Sequence, residues 1–392
     1  MATQFPLKAF EHLRTPFYYY DLDLLRHSLD VLKNEARKHR VHVHYAVKAN
    51  ANPRILSHVQ MAGFGADCVS GGEIRAAIQC GFSADKIVFA GVGKADWEIN
   101  LALEHDIFCF NVESLPELEI INELAAQKSK KARVALRINP DVQADTHHYI
   151  RTGSKENKFG INLSDLESIV EAAQAMAHID LVGIHFHIGS QITEMNNFAG
   201  LAARVNDIQE RLLRMHWIPE HVNLGGGLGI DYHHPDEAAI PDFADYFATL
   251  RRMLKLRPEQ TLHVEPGRSV VGQCGSLIAR VLYVKDSSEK HFAILDAGMT
   301  ELIRPALYQA YHKIEHISTA NNADFQKYDV VGPICESSDC FGKEVELPLL
   351  KRGDLVAIRS AGAYGEIMSS NYNCRPNPAA YFSDDLQGYN QA

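Results

Sequence analysis

The sequence predicts an α/β fold in which a (β/α)8 TIM-like barrel is joined to a C-terminal all-β domain. Short strand-like runs alternate with stretches of helical periodicity, a pattern typical of parallel sheets. The alternation repeats about eight times over roughly 250 residues, which fits a closed barrel better than an open sheet. From about Gly272 the runs become short and turn-separated, which indicates an all-β second domain.

The elements can be followed along the chain. Apolar and β-branched residues mark the predicted barrel strands, at residues 41–48, 65–70, 86–91, 107–112, 133–140, 181–189, 221–227 and 261–267. Helical periodicity marks residues 53–62, 72–80, 95–104, 114–127, 163–177, 199–215 and 242–256. The second domain has predicted strands at residues 276–284, 291–296, 328–331 and 355–358, and the run 17–20 is a candidate to join it. We therefore expect a barrel at residues 21–270, with residues 1–20 and 271–392 forming the β domain.

Composition limits the function. The 392 residues suffice for two domains, and the net charge of −10 argues against a nucleic-acid partner. No apolar stretch could span a bilayer, and the N-terminus lacks an apolar signal core. Seven cysteines without a C-x-x-C pair indicate a reducing compartment. These features predict a cytoplasmic enzyme or binding protein without a membrane partner.

Polar residues and glycines follow the predicted strands, where the active sites of such barrels lie. Lys48 closes the first run, and a lysine at the end of a buried strand is costly unless it has a function. Buried lysines change their pKa readily and form Schiff bases with carbonyl compounds. Lys48 is therefore the first candidate catalytic residue.

Two glycine-containing loops follow the seventh and eighth predicted strands. The first contains Gly225, Gly226 and Gly227, and the second reads Glu265-Pro-Gly-Arg, ending at Arg268. Loops at these positions commonly bind phosphate in this barrel, because glycine amides can approach an anion closely. A tight turn remains the alternative for the glycine run taken alone.

A reactive lysine, a phosphate site and a barrel together suggest pyridoxal 5′-phosphate. Glu265 is then the candidate partner of the protonated pyridine nitrogen, and a structural ion pair with Arg268 is its alternative.

His185 and His187 lie two residues apart on one predicted strand and so face the same side. We place His187 against the cofactor ring; a metal pair is the weaker alternative because no third ligand has suitable spacing. His42 and His44 repeat this spacing, and we assign them to the barrel interior.

Six motifs in order resemble the fold-type III pyridoxal-phosphate decarboxylases, whose fold is that of alanine racemase. They are Tyr45-Ala-Val-Lys-Ala-Asn, His187-Ile-Gly-Ser-Gln, Gly225-Gly-Gly-Leu-Gly, Glu265-Pro-Gly-Arg, Cys335-Glu-Ser-Ser-Asp and Gly362-Ala-Tyr-Gly with Met368-Ser-Ser-Asn-Tyr-Asn. Within this family the chain is most similar to the diaminopimelate decarboxylases. The resemblance implies decarboxylation of meso-2,6-diaminopimelate at its D centre, giving L-lysine, by a homodimer with shared active sites.

The resemblance also implies roles for individual residues. Lys48 would bind the cofactor covalently, and Cys335 would donate a proton across the dimer. The other implied cofactor-binding residues are His187, Ser190, Gly225, Gly226, Gly227, Glu265, Gly267, Arg268 and Tyr364. The implied substrate-binding residues are Arg268, Arg304, Tyr308, Glu336 and Tyr364. Arginine forks suit a substrate with two carboxylates.

Three other functions remain open at this point. A related decarboxylase could act on carboxynorspermidine or a basic amino acid, although Glu336 with Arg304 and Tyr308 argues against it. A racemase would need a second acid/base group where Cys335 stands. A non-catalytic regulator would tend to lose the lysine or the glycine loop, and both are present here.

Overall fold

The computed structural model describes residues 5–141, 158–318 and 324–386. These residues form two compact units. The barrel unit consists of the described parts of Leu29–Gly229 and Asp242–Gly267. The β unit consists of the described parts of Met1–Ser28, Ile230–Pro241 and Arg268–Ala392.

The first strand, β1 (Phe17–Tyr20), belongs to the β unit, and the next eight strands form the barrel. They are β2 (Val41–Ala46), β3 (Gly65–Cys68), β4 (Ile87–Phe89), β5 (Cys109–Val112), β6 (Ala132–Arg137), β7 (Ile179–His185), β8 (His221–Asn223) and β9 (Thr261–Val264). Each pairs in parallel with the next, and β2 also pairs with β9, so the sheet is closed. The predicted barrel is confirmed.

Helices follow the barrel strands, and several begin at polar caps. The α-helices up to the end of the barrel are α1 (Leu7–Phe10), α2 (Leu22–Lys38), α3 (Pro53–Met61), α4 (Gly71–Gln79), α5 (Asp96–Glu104), α6 (Leu115–Gln127), α7 (Leu166–Ala175), α8 (Met195–Arg214) and α9 (Phe243–Met253). The side chain of Ser70 accepts a hydrogen bond from the Glu73 amide, and Ser114 does the same for Glu117. These caps satisfy amides that the first helical turn leaves unpaired.

Seven of the eight barrel strands end earlier than the sequence predicted, since the hydrophobic pattern does not show where a strand turns, whereas β5 ends at Val112 as predicted. β2 ends at Ala46, and Val47–Ala49 form a single 3-10 turn. Lys48 thus lies in a turn just beyond its strand rather than within it. Polar side chains at the C-terminal ends of the barrel strands therefore lie on short segments that directly follow a strand.

The β unit contains one mostly antiparallel eight-stranded sheet. Besides β1, its strands are β10 (Gly275–Asp286), β11 (His291–Leu295), β12 (Ile314–His316), β13 (Phe325–Val331), β14 (Cys340–Pro348), β15 (Leu355–Ile358) and β16 (Ala379–Phe382). The short helices α10 (Arg268–Val271) and α11 (Arg304–Tyr308) complete it. β1 pairs with β10 and β16, which confirms the prediction for residues 17–20.

The fold class is therefore the one the sequence predicted. No helix in the described ranges is long and apolar enough to cross a membrane.

Candidate active site

Lys48 and Asp67 form an ion pair at the C-terminal end of the barrel. The Lys48 Nζ atom lies 2.8 Å from Asp67 Oδ2. Asp67 is fully buried, whereas 37% of the Lys48 side chain is exposed. Burial and the nearby charge of Glu265 raise the pKa of Asp67 to about 6, although Lys48 opposes the shift. The buried carboxylate therefore holds the lysine amine in position, and the exposed part of the lysine side chain remains accessible to a ligand.

Glu265 is the centre of a buried hydrogen-bond network just beyond β9. Its Oε1 atom accepts hydrogen bonds from Asn223 Nδ2 at 2.7 Å and Asn111 Nδ2 at 3.2 Å. Its Oε2 atom lies 3.0 Å from His185 Nε2. The predicted alternative, an ion pair with Arg268, does not occur among the described ion pairs of Glu265.

The surroundings of Glu265 favour its charged form. Burial alone would raise the pKa of this carboxyl, but the attraction and hydrogen bond of His185, together with Lys48, hold it well below the usual value. An ionised carboxylate offers about four acceptor directions, and the three bonds above leave capacity for one more donor. A protonated ring nitrogen is such a donor, so this residue fits the role predicted for it.

His187 lies in the loop after β7 and is half-buried, with Ser190 three residues further on. Its Nδ1 atom accepts a hydrogen bond from the Gly226 amide at 3.3 Å. Burial lowers the pKa of His187 well below its usual value, and the positive charge of Arg137 lowers it further. A neutral, flat imidazole is suited to packing against an aromatic ring.

The glycine loops pack tightly against the strand ends. A Cβ atom at Gly226 would lie 2.2 Å from the Glu265 carbonyl oxygen, and one at Gly225 would lie 2.3 Å from that of Phe186. Gly225 and Gly227 also have positive φ angles, of 69° and 113°. Only glycine fits these three positions. The alternative that the glycine run forms a tight turn is therefore correct as far as the backbone of Gly225, Gly226 and Gly227 is concerned.

The backbone amides of these loops divide into two groups. The amides of Gly225 and Gly226 donate to Asn223 Oδ1 and His187 Nδ1. Within the described residues, the amides of Gly227 and Gly267 make no hydrogen bond, and Gly267 is buried. A buried amide without a partner is costly, so these two donors fit an anion such as a phosphate.

Arg137 and Glu113 form a second buried ion pair near the ends of β5 and β6. The Arg137 Nη1 atom lies 2.8 Å from Glu113 Oε1, and Glu113 also accepts the Gly160 amide at 3.0 Å. The charge of Arg137 contributes to keeping His187 neutral. No cluster of histidine, cysteine and carboxylate side chains in the described ranges could hold a metal ion.

The β unit contains two buried arginines that share one phenol. Arg268 Nη1 donates to Tyr232 Oη at 2.5 Å, and Arg304 Nη1 donates to the same oxygen at 2.9 Å. Arg304 Nη1 also donates to His312 Nε2 at 2.7 Å. Burial and the charge of Arg304 lower the pKa of His312 to about 3, so this partner is neutral.

Arg304 is buried, with 6% of its surface exposed, and among the described residues it makes no ion pair. Burial lowers its pKa, and Arg268 lowers it further. A buried charge with only neutral partners is unfavourable unless an anion completes the site. This finding favours the predicted carboxylate-binding role of Arg304.

The other predicted residues of the β unit are more exposed. The Tyr364 ring lies 4.8 Å from the Arg268 guanidinium carbon, and Tyr308 is half-buried at the end of α11. Cys335 and Glu336 are exposed, and Glu336 accepts a hydrogen bond from Tyr372 at 2.7 Å.

Their loop is held by buried Asp339, which accepts the amides of Met299 and Ile334 at 2.6 and 2.7 Å. Its carboxylate lies against Gly298 and Gly332, where a side chain would collide with it. Ser338 in this loop has no left-handed φ, so its position does not require a glycine.

Sequence reasoning missed several polar residues of these networks, and five of them are informative. They are Asp67, Arg137, Asn223, Tyr232 and His312. Asp67 and Arg137 carried a usable signal, because a charged residue inside a predicted buried strand needs a partner. Tyr232 and His312 lie outside the strands, and nothing in the sequence pattern singles them out.

The C-terminal end of the closed barrel combines a lysine amine, a charged glutamate and two glycine amides that no described residue accepts, and these are the groups that a pyridoxal phosphate cofactor requires. The family model described as "Pyridoxal-dependent decarboxylase, pyridoxal binding domain" matches residues 23–272. The fold alone is shared with a lysine/ornithine decarboxylase from Vibrio vulnificus, solved with putrescine (23% identity, TM-score 0.82, 96% of each chain).

Two relatives define the family more closely. The diaminopimelate decarboxylase of Bacteroides thetaiotaomicron is 61% identical over 97% of this chain and 99% of its own length. The crystal structure of the Helicobacter pylori diaminopimelate decarboxylase, complexed with L-lysine, is 40% identical, with a TM-score of 0.91 over 97% of this chain and 94% of that one. The chain belongs to the diaminopimelate decarboxylase family of pyridoxal-dependent decarboxylases.

Proposed function

We propose that this protein decarboxylates meso-2,6-diaminopimelate at its D centre, with pyridoxal 5′-phosphate as cofactor, and releases L-lysine and CO2. The observation that carries the proposal is the buried, positively charged Arg304 with only uncharged partners. A site of this kind selects a substrate with a carboxylate that is not consumed in the reaction. The names and L-lysine complex of the relatives support the same substrate.

The barrel residues would hold the cofactor. Lys48 would bind it covalently, His187 would cover the ring, and Glu265 would accept a hydrogen bond from the ring nitrogen. The amides of Gly227 and Gly267 would bind the phosphate, with Ser190, Arg268 and Tyr364 as further contacts; Gly225 and Gly226 would shape the loop. When bound, the cofactor supplies a ring that accepts the electron pair left behind by departing CO2.

Three side chains of the barrel would set the charges and the positions of protons during decarboxylation. The negative charge of Glu265 would keep the ring nitrogen protonated. Asp67 would hold the Lys48 amine by accepting a hydrogen bond from it, and its negative charge would balance the positive charge of the amine. The neutral His187 would exclude water from one face of the ring without adding a charge there.

The proton that replaces the carboxylate would come from Cys335. Its exposure in this chain, on a loop anchored by Asp339, supports a role toward a second subunit. We therefore propose a homodimer in which Cys335 and Glu336 of one subunit serve the site of the other. Glu336 would bind the distal ammonium group of the substrate.

The arginines would bind the distal carboxylate, with Tyr308 as an additional donor. A leaving carboxylate should not be held by strong charged contacts, because those contacts would stabilise the ground state. Arg268 and Arg304 would therefore act at the end of the substrate that does not react.

A panel of amino acids tests the proposal. We expect the cofactor-loaded protein to release CO2 from meso-diaminopimelate and to form L-lysine. L-lysine, L-ornithine and L-arginine should be poorer substrates by about 10³-fold or more in kcat/KM, since each leaves a buried charge unpaired. A preference for any of these, or for carboxynorspermidine, would exclude diaminopimelate as the substrate.

A further inference from the structure

Tyr232 lies between the two arginines, and no role in the reaction has so far been assigned to it. Its side chain is 8% exposed, and its oxygen is 2.5 Å from Arg268 Nη1 and 2.9 Å from Arg304 Nη1. Its ring also packs edge-on against His312, with 5.1 Å between the ring centroids. Tyr232 is thus the common contact of the arginines expected to bind a carboxylate.

The direction of these hydrogen bonds follows from the chemistry of arginine. A guanidinium group has five N–H donors and no acceptor, so the phenol oxygen must accept from both arginines. The hydroxyl proton of Tyr232 then needs an acceptor of its own. No hydrogen bond donated by this hydroxyl occurs within residues 5–141, 158–318 and 324–386. A buried O–H group without an acceptor is unfavourable.

Arg304 shows the same incomplete pattern. Both of its described hydrogen bonds use Nη1, one to Tyr232 and one to His312. Its Nε–Nη2 edge makes no hydrogen bond with any described residue. This edge carries the two parallel N–H groups that bind a carboxylate in bidentate fashion. One carboxylate could satisfy both this edge and the Tyr232 hydroxyl.

The segment that carries Tyr232 is firmly attached to the β unit. Gln273 Nε2 donates to the Asp231 carbonyl oxygen at 2.7 Å. Arg359, which is 2% exposed, lies 2.7 Å from Asp236 and pairs also with Glu315. These contacts on both sides of Tyr232 fix its position before a ligand binds, which reduces the entropy lost on binding.

We propose that Tyr232 is a substrate-binding residue whose hydroxyl donates a hydrogen bond to the distal carboxylate held by Arg268 and Arg304. The inference rests on the proposed function, since it concerns the carboxylate of that substrate. It makes Tyr232 a determinant of specificity. A ligand without the carboxylate leaves the hydroxyl and the Arg304 edge buried and unsatisfied.

Binding of two ligands to the cofactor-loaded protein tests this role. L-lysine carries the distal carboxylate, and 1,5-diaminopentane is the same molecule without it. We expect Tyr232→Phe to weaken L-lysine binding by about 10- to 100-fold, the range for a lost hydrogen bond to a charged group. Binding of 1,5-diaminopentane should change by less than about 2-fold, since it never used this hydroxyl. Calorimetry measures both, and bound cofactor, measured by absorbance, confirms that the variant is folded and loaded.

Tyr328→Phe is the matched control. Tyr328 is a buried tyrosine of the same unit, and its hydroxyl accepts the Leu350 amide at 3.1 Å. This variant should bind both ligands as the wild type does. Equal L-lysine affinity of Tyr232→Phe and wild type, or an equal loss of both ligands, would overturn the inference. A wild type that neither binds L-lysine nor decarboxylates diaminopimelate would instead refute the proposed function.

Discussion

Lys48 and Asp67 form an ion pair in which only the lysine reaches solvent. Asp67 would remain as a buried carboxylate without its partner if Lys48 were removed, and such a group protonates rather than staying charged. The ion pair holds the Lys48 amine in place only while Asp67 is charged. Lys48 could be found in the sequence because it ends a predicted strand, but its partner required the register of β2 and β3.

Replacement of Lys48 tests its role directly. We expect Lys48→Ala to lower kcat by several orders of magnitude, since the covalent attachment of the cofactor is lost. Lys86→Ala is the control, because Lys86 is an exposed lysine of the same unit with a long, 3.3 Å contact to the Gly63 carbonyl oxygen. Steady-state rates and cofactor absorbance should stay near wild type in the control. An active Lys48→Ala protein would show that another residue binds the cofactor.

The elements of the barrel could be predicted because their pattern is local. Alternating strands and helices, and caps such as Ser70 and Ser114, follow from residues close in sequence. β12, β14 and β16 were not predicted. β14 is mostly exposed or half-buried along its length, so its sequence lacks a continuous apolar side. The hydrogen bonds of Tyr232 join residues 36 and 72 positions apart in the chain, and local patterns do not contain such pairings.

A cluster of histidines lies at the opposite, N-terminal ends of the barrel strands. His44 Nε2 is 2.9 Å from His263 Nδ1, and the rings of His42 and His221 lie 4.8 and 5.1 Å from that of His263. His44 is buried, as expected for the barrel interior, whereas His42 is exposed to solvent although its ring also stacks on that of His263. Burial, followed by the charge of Arg133 and the nearby imidazoles of His42 and His44, lowers the pKa of His221 to about 4.

The pH dependence of stability follows from this shift. An unfolded histidine has a pKa near 6.5, so between about pH 6.5 and 4 the unfolded chain binds more protons than the folded one. We expect the His221 contribution to be fully present above pH 6.5 and to be lost as the pH falls toward 4. His221→Asn should therefore show a smaller loss of unfolding free energy over this range, measured by urea denaturation. The exposed His105→Asn is the control, and an unchanged pH slope in His221→Asn would contradict the assignment.

The predicted site residues are distributed over both units of the molecule. The barrel unit carries Lys48, Glu265 and His187, and the β unit carries Arg304 and Cys335. Cys335 stands exposed on an anchored loop, unlike the buried cysteines Cys68, Cys109 and Cys274. This exposed position is the reason for proposing that Cys335 serves a site completed between subunits.

Subunit mixing tests the proposed dimer. Lys48→Ala and Cys335→Ala proteins, each of low activity alone, should regain activity when their subunits exchange. A 1:1 mixture forms about half heterodimers, each with one intact site of two, so up to roughly a quarter of wild-type activity is expected. Exchange can be verified with two differently tagged proteins. Proven exchange without recovery above the mean of the two separate activities would rule out a shared site.

In the proposed reaction the D-centre carboxylate of meso-diaminopimelate leaves as CO2, while the distal carboxylate stays bound to the arginines. Two samples of substrate, labelled with ¹³C in one carboxylate each, test it in a single mass-spectrometric measurement of CO2 and lysine. We predict labelled CO2 from the D-centre sample, and unlabelled CO2 with labelled L-lysine from the L-centre sample. Labelled CO2 from the L-centre sample, or no CO2 from either, would contradict the account.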